Sequence, residues 1–236
     1  MSAPAQDGVS FYSDIAPDFH ASYDSDPNRI ERMQIWGRFL DRYAARARFA
    51  YDIGCGSGML SCELARRGIE TVGIDGAEGM LSIAKRTALA GGLANASFMQ
   101  HRLPIADTQG FKLAQLVISS SAIEYLDSMP AALGFLRDLL EEGGTTLFSV
   151  SNRDSLSRRL VRSIHSVTGR PRYLKYLRHF MTAEELKAAV SAAGLTYLEH
   201  TYFGGADRLN RWLGRALAPK YSNNMILMAA RREART

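Results

Sequence analysis

The chain has 236 residues, 46% of them hydrophobic and 22% charged, with a formal net charge of +5 and two cysteines. That length suits one α/β domain with a sizeable core, and Cys55 and Cys62 are too few and too close for a disulfide framework or a metal cluster. No apolar run is long enough to span a bilayer, and Met1 to Gly8 lacks the basic-then-apolar pattern of a secretion signal. The expectation is a soluble, cytoplasmic protein in a reducing compartment.

Ahead of the first strand, Phe11 to Asp24 interleaves aromatic residues with acids. A helix over Arg29 to Arg48 follows, with Ile30, Met33, Trp36, Gly37 and Leu40 on one face. The apolar run Phe49 to Ile53 predicts a strand, and Met59 to Arg67 a helix. Between them lies Asp52-Ile53-Gly54-Cys55-Gly56-Ser57-Gly58, an acid followed by three glycines at alternate positions. Glycine there removes Cβ atoms that would hold a ligand off the backbone, and it permits the positive φ of a tight strand-to-helix turn. The dinucleotide fingerprint wants a further glycine where this chain has Met59, so a pyrophosphate is disfavoured. The second strand, Thr71 to Asp75, ends in a carboxylate placed to accept from both hydroxyls of a ribose. Loop and acid together point to an adenosine-containing ligand.

The remaining elements alternate as a doubly wound sheet requires. A helix starting near Met80 stops at Gly91-Gly92, and Ala96 to Met99 and Leu113 to Ser120 are the third and fourth strands. Ser128-Met129-Pro130 opens a helix with Leu133, Leu136 and Leu140 on one face and Gly143-Gly144 past its end, and Thr145 to Val150 is the fifth strand. Thr182 and Glu185 form a capping-box pattern for a helix ending at Gly194, and Leu195 to Tyr202 and Asn224 to Ala230 are the last two strands.

From about Phe49 to Arg231 the chain resembles the class I S-adenosylmethionine-dependent methyltransferases, which carry an acid-x-Gly-x-Gly-x-Gly loop and a second-strand acid. The matching positions are Asp52, Gly54, Gly56, Gly58 and Asp75. The resemblance implies a Rossmann-like, doubly wound, seven-stranded, mostly parallel sheet with an antiparallel last strand. Residues 1–48 would form a helical lid, and residues 49–236 a cofactor domain with a helical insertion at 153–180 after the fifth strand. S-adenosyl-L-methionine is the implied cofactor and S-adenosyl-L-homocysteine its product. Cys55 within the loop and Gly76 after the acid join the cofactor set. Met80 lies either against the adenine or in ordinary helix core. Ligands bind beyond the carboxyl ends of such strands, which adds His101, Arg102 and Ser119. His101 stands where the family places an acid for the adenine amino group; a solvent-facing loop histidine is the other reading. Tyr12 and Tyr23 of the lid would approach the methionine carboxylate or the acceptor.

For the acceptor, the segment after the fourth strand lacks the Asn/Asp-Pro-Pro-aromatic motif, which disfavours nucleobase amino-methylation. It looks like the Glu-x-x-Glu-His element of the ubiquinone-biosynthesis O-methyltransferases, but Ser121 and Tyr125 replace two of its three ligands and only Glu124 remains. No metal site is expected, and Glu124 reads as a helix-start acid. The expected reaction is methylation of a small-molecule acceptor, at a hydroxyl oxygen first and at a small amine second; a non-catalytic cofactor-binding protein is the rival. A hydroxyl acceptor needs a base, and of the five histidines His179 and then His20 are the candidates.

Between Arg153 and Arg178 eight lysines and arginines face the single Asp154, so this stretch carries +7 and the rest of the chain about −2. Leu156, Leu160, Val161, Ile164 and Val167 recur there at helical spacing, and Leu209, Trp212, Leu213 and Leu217 make a second basic amphipathic helix. Two readings stand: apolar faces packed over the acceptor pocket under a solvated charged face, or interfacial helices touching lipid, which would make the protein membrane-peripheral. Nucleic acid is not an expected partner, since no aromatic-rich basic groove accompanies the charge.

Overall fold

The computed structural model describes residues 7–105 and 108–233. Of the stretch read for a targeting signal, Met1 to Gln6 lie outside the described residues. The fold is a Rossmann-like sheet ordered β3-β2-β1-β4-β5-β8-β7, built from β1 (Phe49–Ile53), β2 (Glu70–Asp75), β3 (Ala96–Gln100), β4 (Ala114–Ser120), β5 (Leu140–Asn152), β7 (Leu195–Phe203) and β8 (Met225–Arg232). The first five strands are parallel, and β8 runs antiparallel to both β5 and β7. A short eighth strand, β6 (Phe180–Met181), pairs with the end of β5, where Ser151 faces Phe180. It returns the chain to the sheet after the insertion.

Because helices cover both faces, the central strands are apolar on both sides. Successive residues therefore serve opposite cores. Val117 faces one core with Ile53, Ile74 and Phe148, under α6 (Met129–Asp138) and α8 (Ala183–Ala192). Leu116 and Ile118 face the other with Trp36, Leu40 and Leu64, from α3 (Pro27–Tyr43) and α4 (Met59–Arg66). The amino-terminal helices α1 (Gly8–Asp14) and α2 (Ala16–Ala21) make a third, smaller core, placing Ala16, Val9, Tyr12 and Phe19 against Met80 and Ile83 of α5 (Glu78–Ala90).

Helix starts follow local chemistry. Asp26 caps α3 ahead of Pro27, Ser128 caps α6, and Thr182 with Glu185 closes a full capping box on α8. Three boundaries differ from the sequence expectation. The helix predicted to reach Arg48 ends at Tyr43, because the backbone N–H groups of Arg48 and Phe49 are taken by the Gln115 side chain at the start of β1. Leu140 lies in β5 rather than on α6, paired with Ala114, and Gly143 at φ 75° falls inside the irregular start of that strand. The second basic helix is only α9 (Arg208–Leu213); it stops at Gly214, and Pro219 opens the separate turn α10 (Pro219–Ser222).

The candidate active site

A cleft of about 550 Å³ opens at the carboxyl ends of β1, β2 and β4, where strand order reverses beside β1. This is the position at which open α/β sheets bind ligands, and the size is that of a small-molecule site. One half is built from the glycine loop. Gly54, Gly56 and Gly58 have φ of 69°, 53° and 79°, but the structure uses them differently. A Cβ on Gly54 would lie 2.1 Å from the Ala122 Cβ, and one on Gly58 would lie 2.7 Å from that of Ala84, so these two let loop, sheet and helix close. At Gly56 nothing comes nearer than 3.9 Å, where the Phe19 ring and the Met80 sulfur stand across the cleft. That glycine leaves its backbone bare to a ligand.

Asp75 at the end of β2 holds the loop in place: one carboxylate oxygen accepts from Gly56 N–H at 2.9 Å and the other from Ala77 N–H at 2.8 Å. Burial raises its pKa and those two donors oppose the shift. Asp52, buried at the floor, accepts from the Ser61 hydroxyl at 2.6 Å. Burial pushes it up to about 7, against the pull of Ser61. Over this half sit residues of the amino-terminal helices, with Arg29 of α3 stacked 3.9 Å above the Phe19 ring and 4.9 Å from that of Tyr23.

The other half is assembled from distant segments. The single turn η2 (Ile123–Tyr125) after β4 brings Glu124 to the cleft wall, buried, with its carboxylate accepting from the backbone N–H and the hydroxyl of Ser151 in β5. Burial pushes this carboxyl up to about 7, and the positive charges of Arg158 and then Arg32 pull the other way. Glu124 lies in the first turn of that short helix, as a helix-start acid would, and its carboxylate turns to β5. Tyr12 of α1 and Tyr125 share a hydroxyl hydrogen bond of 2.7 Å, and burial raises the first to about 12 and the second well above its ordinary value. Ser121 beside them holds a left-handed φ of 57°, a conformation costly for a residue with a side chain. Arg158 enters from α7 (Leu156–Thr168), the helix of the insertion.

The structure brings Tyr12, Tyr23, Asp52, Gly54, Cys55, Gly56, Asp75, Gly76, Met80 and Arg102 to this cleft. Met80 packs in the small amino-terminal core and also contributes to the cleft wall. Others stand elsewhere. Gly58 packs on α5, and His101 lies exposed past β3, contributing its backbone N–H to the Asp75 carbonyl. Ser119 is buried and donates to the Ile53 carbonyl at 2.9 Å, stitching β4 to β1, while Ser120 and Ser121 line the cleft in its stead. His179 donates through Nε2 to the Leu126 carbonyl, and its backbone N–H binds the Glu124 carbonyl, so it holds the Glu124 turn from behind. His20 is in α2 and off the cleft wall. Arg29, Arg32, Tyr125, Arg158 and Tyr173 line the cleft without having been singled out for it. No local pattern reveals them as a set, because they come from α3, the turn after β4 and the insertion, and meet only in the folded chain. Among the described residues no group of three or more His, Cys, Asp or Glu is arranged to hold a metal ion.

A family model described as a methyltransferase domain matches residues 29–200. The chain belongs to that methyltransferase family. The ubiquinone biosynthesis O-methyltransferase of Ruegeria sp. (strain TM1040) is 31% identical over 185 residues, covering 76% of this chain and 74% of that protein. Magnesium protoporphyrin IX methyltransferase from Synechocystis PCC 6803 superposes with a TM-score of 0.71 at 16% identity, over 95% of this chain and 98% of the other. The N-methyltransferase NodS from Bradyrhizobium japonicum WM9 gives 0.69 at 18% identity, over 97% and 100%. At those identities the two solved structures speak to the fold alone.

The chain is an S-adenosylmethionine-dependent methyltransferase, and the first half of its cleft suits that cofactor. The bare backbone at Gly56 admits a ligand against the loop, and Asp75 retains acceptor capacity for ribose hydroxyls beyond its two backbone bonds. Met80, buried but part of the cleft wall, adds an apolar side chain there.

Proposed function

We propose that this methyltransferase acts on a small molecule and transfers the methyl group to a hydroxyl oxygen. The observation that carries the reading is Glu124, a buried carboxyl on the acceptor wall whose pKa lies at about 7. A hydroxyl must lose its proton during attack, and a base works best when its pKa matches the working pH. When bound, S-adenosylmethionine supplies a methyl group already activated on a sulfonium. The protein's share is to bind and orient, to keep water out and to remove one proton.

Asp75 would hold the ribose, and Arg29, over the rings of Phe19 and Tyr23, the methionine carboxylate. Lid helices α1 and α2 close the cleft through Tyr12 and Phe19, excluding water from the acceptor end. At Glu124, Oε2 is tied to the Ser151 N–H, and Oε1, with only the 3.3 Å contact from the Ser151 hydroxyl, is the atom that receives the acceptor's proton. Tyr12 and Tyr125 stay protonated at neutral pH and serve as hydrogen-bond donors, not bases. The test is methyl transfer from labelled cofactor to matched hydroxyl and amino acceptors. Glu124→Gln should depress transfer to the hydroxyl ~10²–10⁴-fold and leave an amine acceptor nearly untouched. Wild-type transfer to amines alone would overturn the reading.

A second proposal concerns the partner of the insertion, which we assign to an anionic lipid surface. Its support is that α7 turns its apolar stripe outward. Only Ser157 of the helix is buried, while Leu160, Ile164 and Val167 are exposed, Val167 by 86%, and Trp212 of α9 by 66%. This exposure favours the interfacial reading over one in which the stripe packs on the acceptor pocket. Among the arginines, Arg158 points to the cleft and Arg162 stacks on Phe180, which leaves Arg159, Arg170 and Arg172 to meet lipid charge. Among the described residues no helix is long and apolar enough to cross a membrane, so contact would be at the surface. Partition onto vesicles containing phosphatidylglycerol should be lost in Ile164→Glu/Val167→Glu; absence of partition by the wild type removes the proposal.

A further inference from the structure

We infer that the acceptor carries a carboxylate, held by Arg158 of the insertion helix with Arg32 of α3 beside it. This rests on the reading above that the Glu124 half of the cleft receives the acceptor, and it adds the acceptor's charge.

Five arginines line the cleft. Arg102 pairs with Asp7 and Arg178 with Asp127, at the rim. Arg29, Arg32 and Arg158 form no ion pair among the described residues. A guanidinium taken out of water needs acceptors for its five N–H donors, and one left open is costly. The cofactor brings a single carboxylate. Arg29, over Phe19 on the glycine-loop side, is placed for that one. Two guanidinium groups then remain at the acceptor end.

Arg158 is the more telling of the two. Its Nη1 donates to the Tyr173 hydroxyl at 2.7 Å, and its Nη2 reaches only the Met225 sulfur at 3.5 Å. Its Nε is shut off from solvent with no partner at all. Arg32 has one long hydrogen bond, 3.4 Å to the Ser120 hydroxyl, and lies 5.7 Å from the centre of the Phe203 ring. Glu124 makes no ion pair or hydrogen bond with either guanidinium; its carboxylate turns to Ser151, and it feels Arg158 first and Arg32 next only through space. A neutral oxygen could accept one of these N–H groups but would leave the two positive charges unmatched, and a cationic acceptor would add repulsion. A carboxylate matches the guanidinium fork and satisfies it. The placement is deliberate in the fold: Ser155 and Ser157 at the start of α7 both donate to the Asn224 side chain, at 2.9 and 2.8 Å, which fixes the turn that carries Arg158. The outer face of the insertion is apolar, and its inner end selects for charge.

The test uses the protein saturated with S-adenosylhomocysteine and three probe pairs, hydroxyphenylacetate, hydroxycinnamate and hydroxyhexanoate, each against its primary amide. Calorimetry should show at least one acid binding tenfold or more tighter than its amide. Arg158→Gln should erase that acid–amide difference while leaving affinity for S-adenosylhomocysteine within twofold and the melting temperature unchanged, and Arg158→Lys should restore part of the difference. Equal binding of acids and amides, or binding of neither, overturns the inference. Turnover of the same probes separates it from the reading on which it rests. Methyl on oxygen without acid preference sinks the carboxylate alone, whereas methyl on nitrogen with acid preference sinks oxygen transfer alone.

Discussion

The two halves of the cleft are built on opposite plans. The cofactor half comes from two short runs, Asp52 to Gly58 and Asp75 to Met80, in which backbone shape does most of the work and neighbours in sequence are neighbours in space. The acceptor half takes Arg32 from α3, Glu124 from the turn after β4, Ser151 from β5 and Arg158 from α7, so that each side chain depends on a different element for its place. A ligand common to a whole family can be met by a reusable local loop. A ligand particular to one enzyme is met by side chains that converge only when the sheet, lid and insertion have docked.

The largest expected effect sits inside the cofactor loop and probes whether its glycines act through packing or through ligand access. Gly54→Ala would place a Cβ 2.1 Å from that of Ala122 at a positive φ. Urea unfolding should show a loss of about 3 kcal/mol or more. Gly56→Ala meets nothing closer than 3.9 Å. It should lose only about 1 kcal/mol for its left-handed backbone, yet bind S-adenosylhomocysteine far more weakly. Equal stability losses would break the distinction between the two positions.

Next in size is Glu124→Gln, whose loss of transfer to a hydroxyl should come with unchanged affinity for S-adenosylhomocysteine, dividing the halves by function. Asp75→Asn should do the reverse: calorimetry should find cofactor affinity down ~10-fold, the worth of one good hydrogen bond, with acceptor binding to the residual complex intact.

Smaller and broader is the pH dependence. Burial lifts Asp52 from 3.8 and Glu124 from 4.5, each to about 7. A carboxyl with a raised folded pKa binds its proton more tightly than the unfolded chain does. That contribution to stability is complete below about pH 4 and is lost as pH rises through about 7. Asp52→Asn should therefore flatten the fall in stability between about pH 4 and 7, by a few kcal/mol at about 1.4 kcal/mol per unit. Transfer to a hydroxyl should run the other way, rising through about pH 7 as Glu124 ionises. The smallest effect is a shift of that rising limb to higher pH in Arg158→Gln, because the guanidinium lowers the Glu124 pKa. An unmoved limb would argue that Glu124 is not the titrating group.

Much of the chain was legible from its sequence. The strands from Phe49 to Ile53 and Glu70 to Asp75, the glycine turn and the capped start of α8 depend on periodicity and on side chains bonding to backbone three residues away. The misplaced boundaries are those where a distant partner decides, as when Gln115 takes the N–H groups that begin β1 and Ala114 draws Leu140 into β5. The candidate bases went astray for the same reason. A histidine beside a capped helix signals nothing about which way its ring turns, and the His179 ring turns to the Leu126 carbonyl behind the Glu124 turn.

What the sequence by itself determined is the order of elements, the parallel core and the glycine turn at the cleft, because each rests on interactions spanning a few residues. Only the tertiary structure decided the acceptor wall. Burial gives Glu124 a pKa near neutrality, the outward turn of the apolar stripe exposes α7 to solvent, and Arg158 is left with an unpaired donor; all three are properties of surroundings that sequence neighbours do not supply.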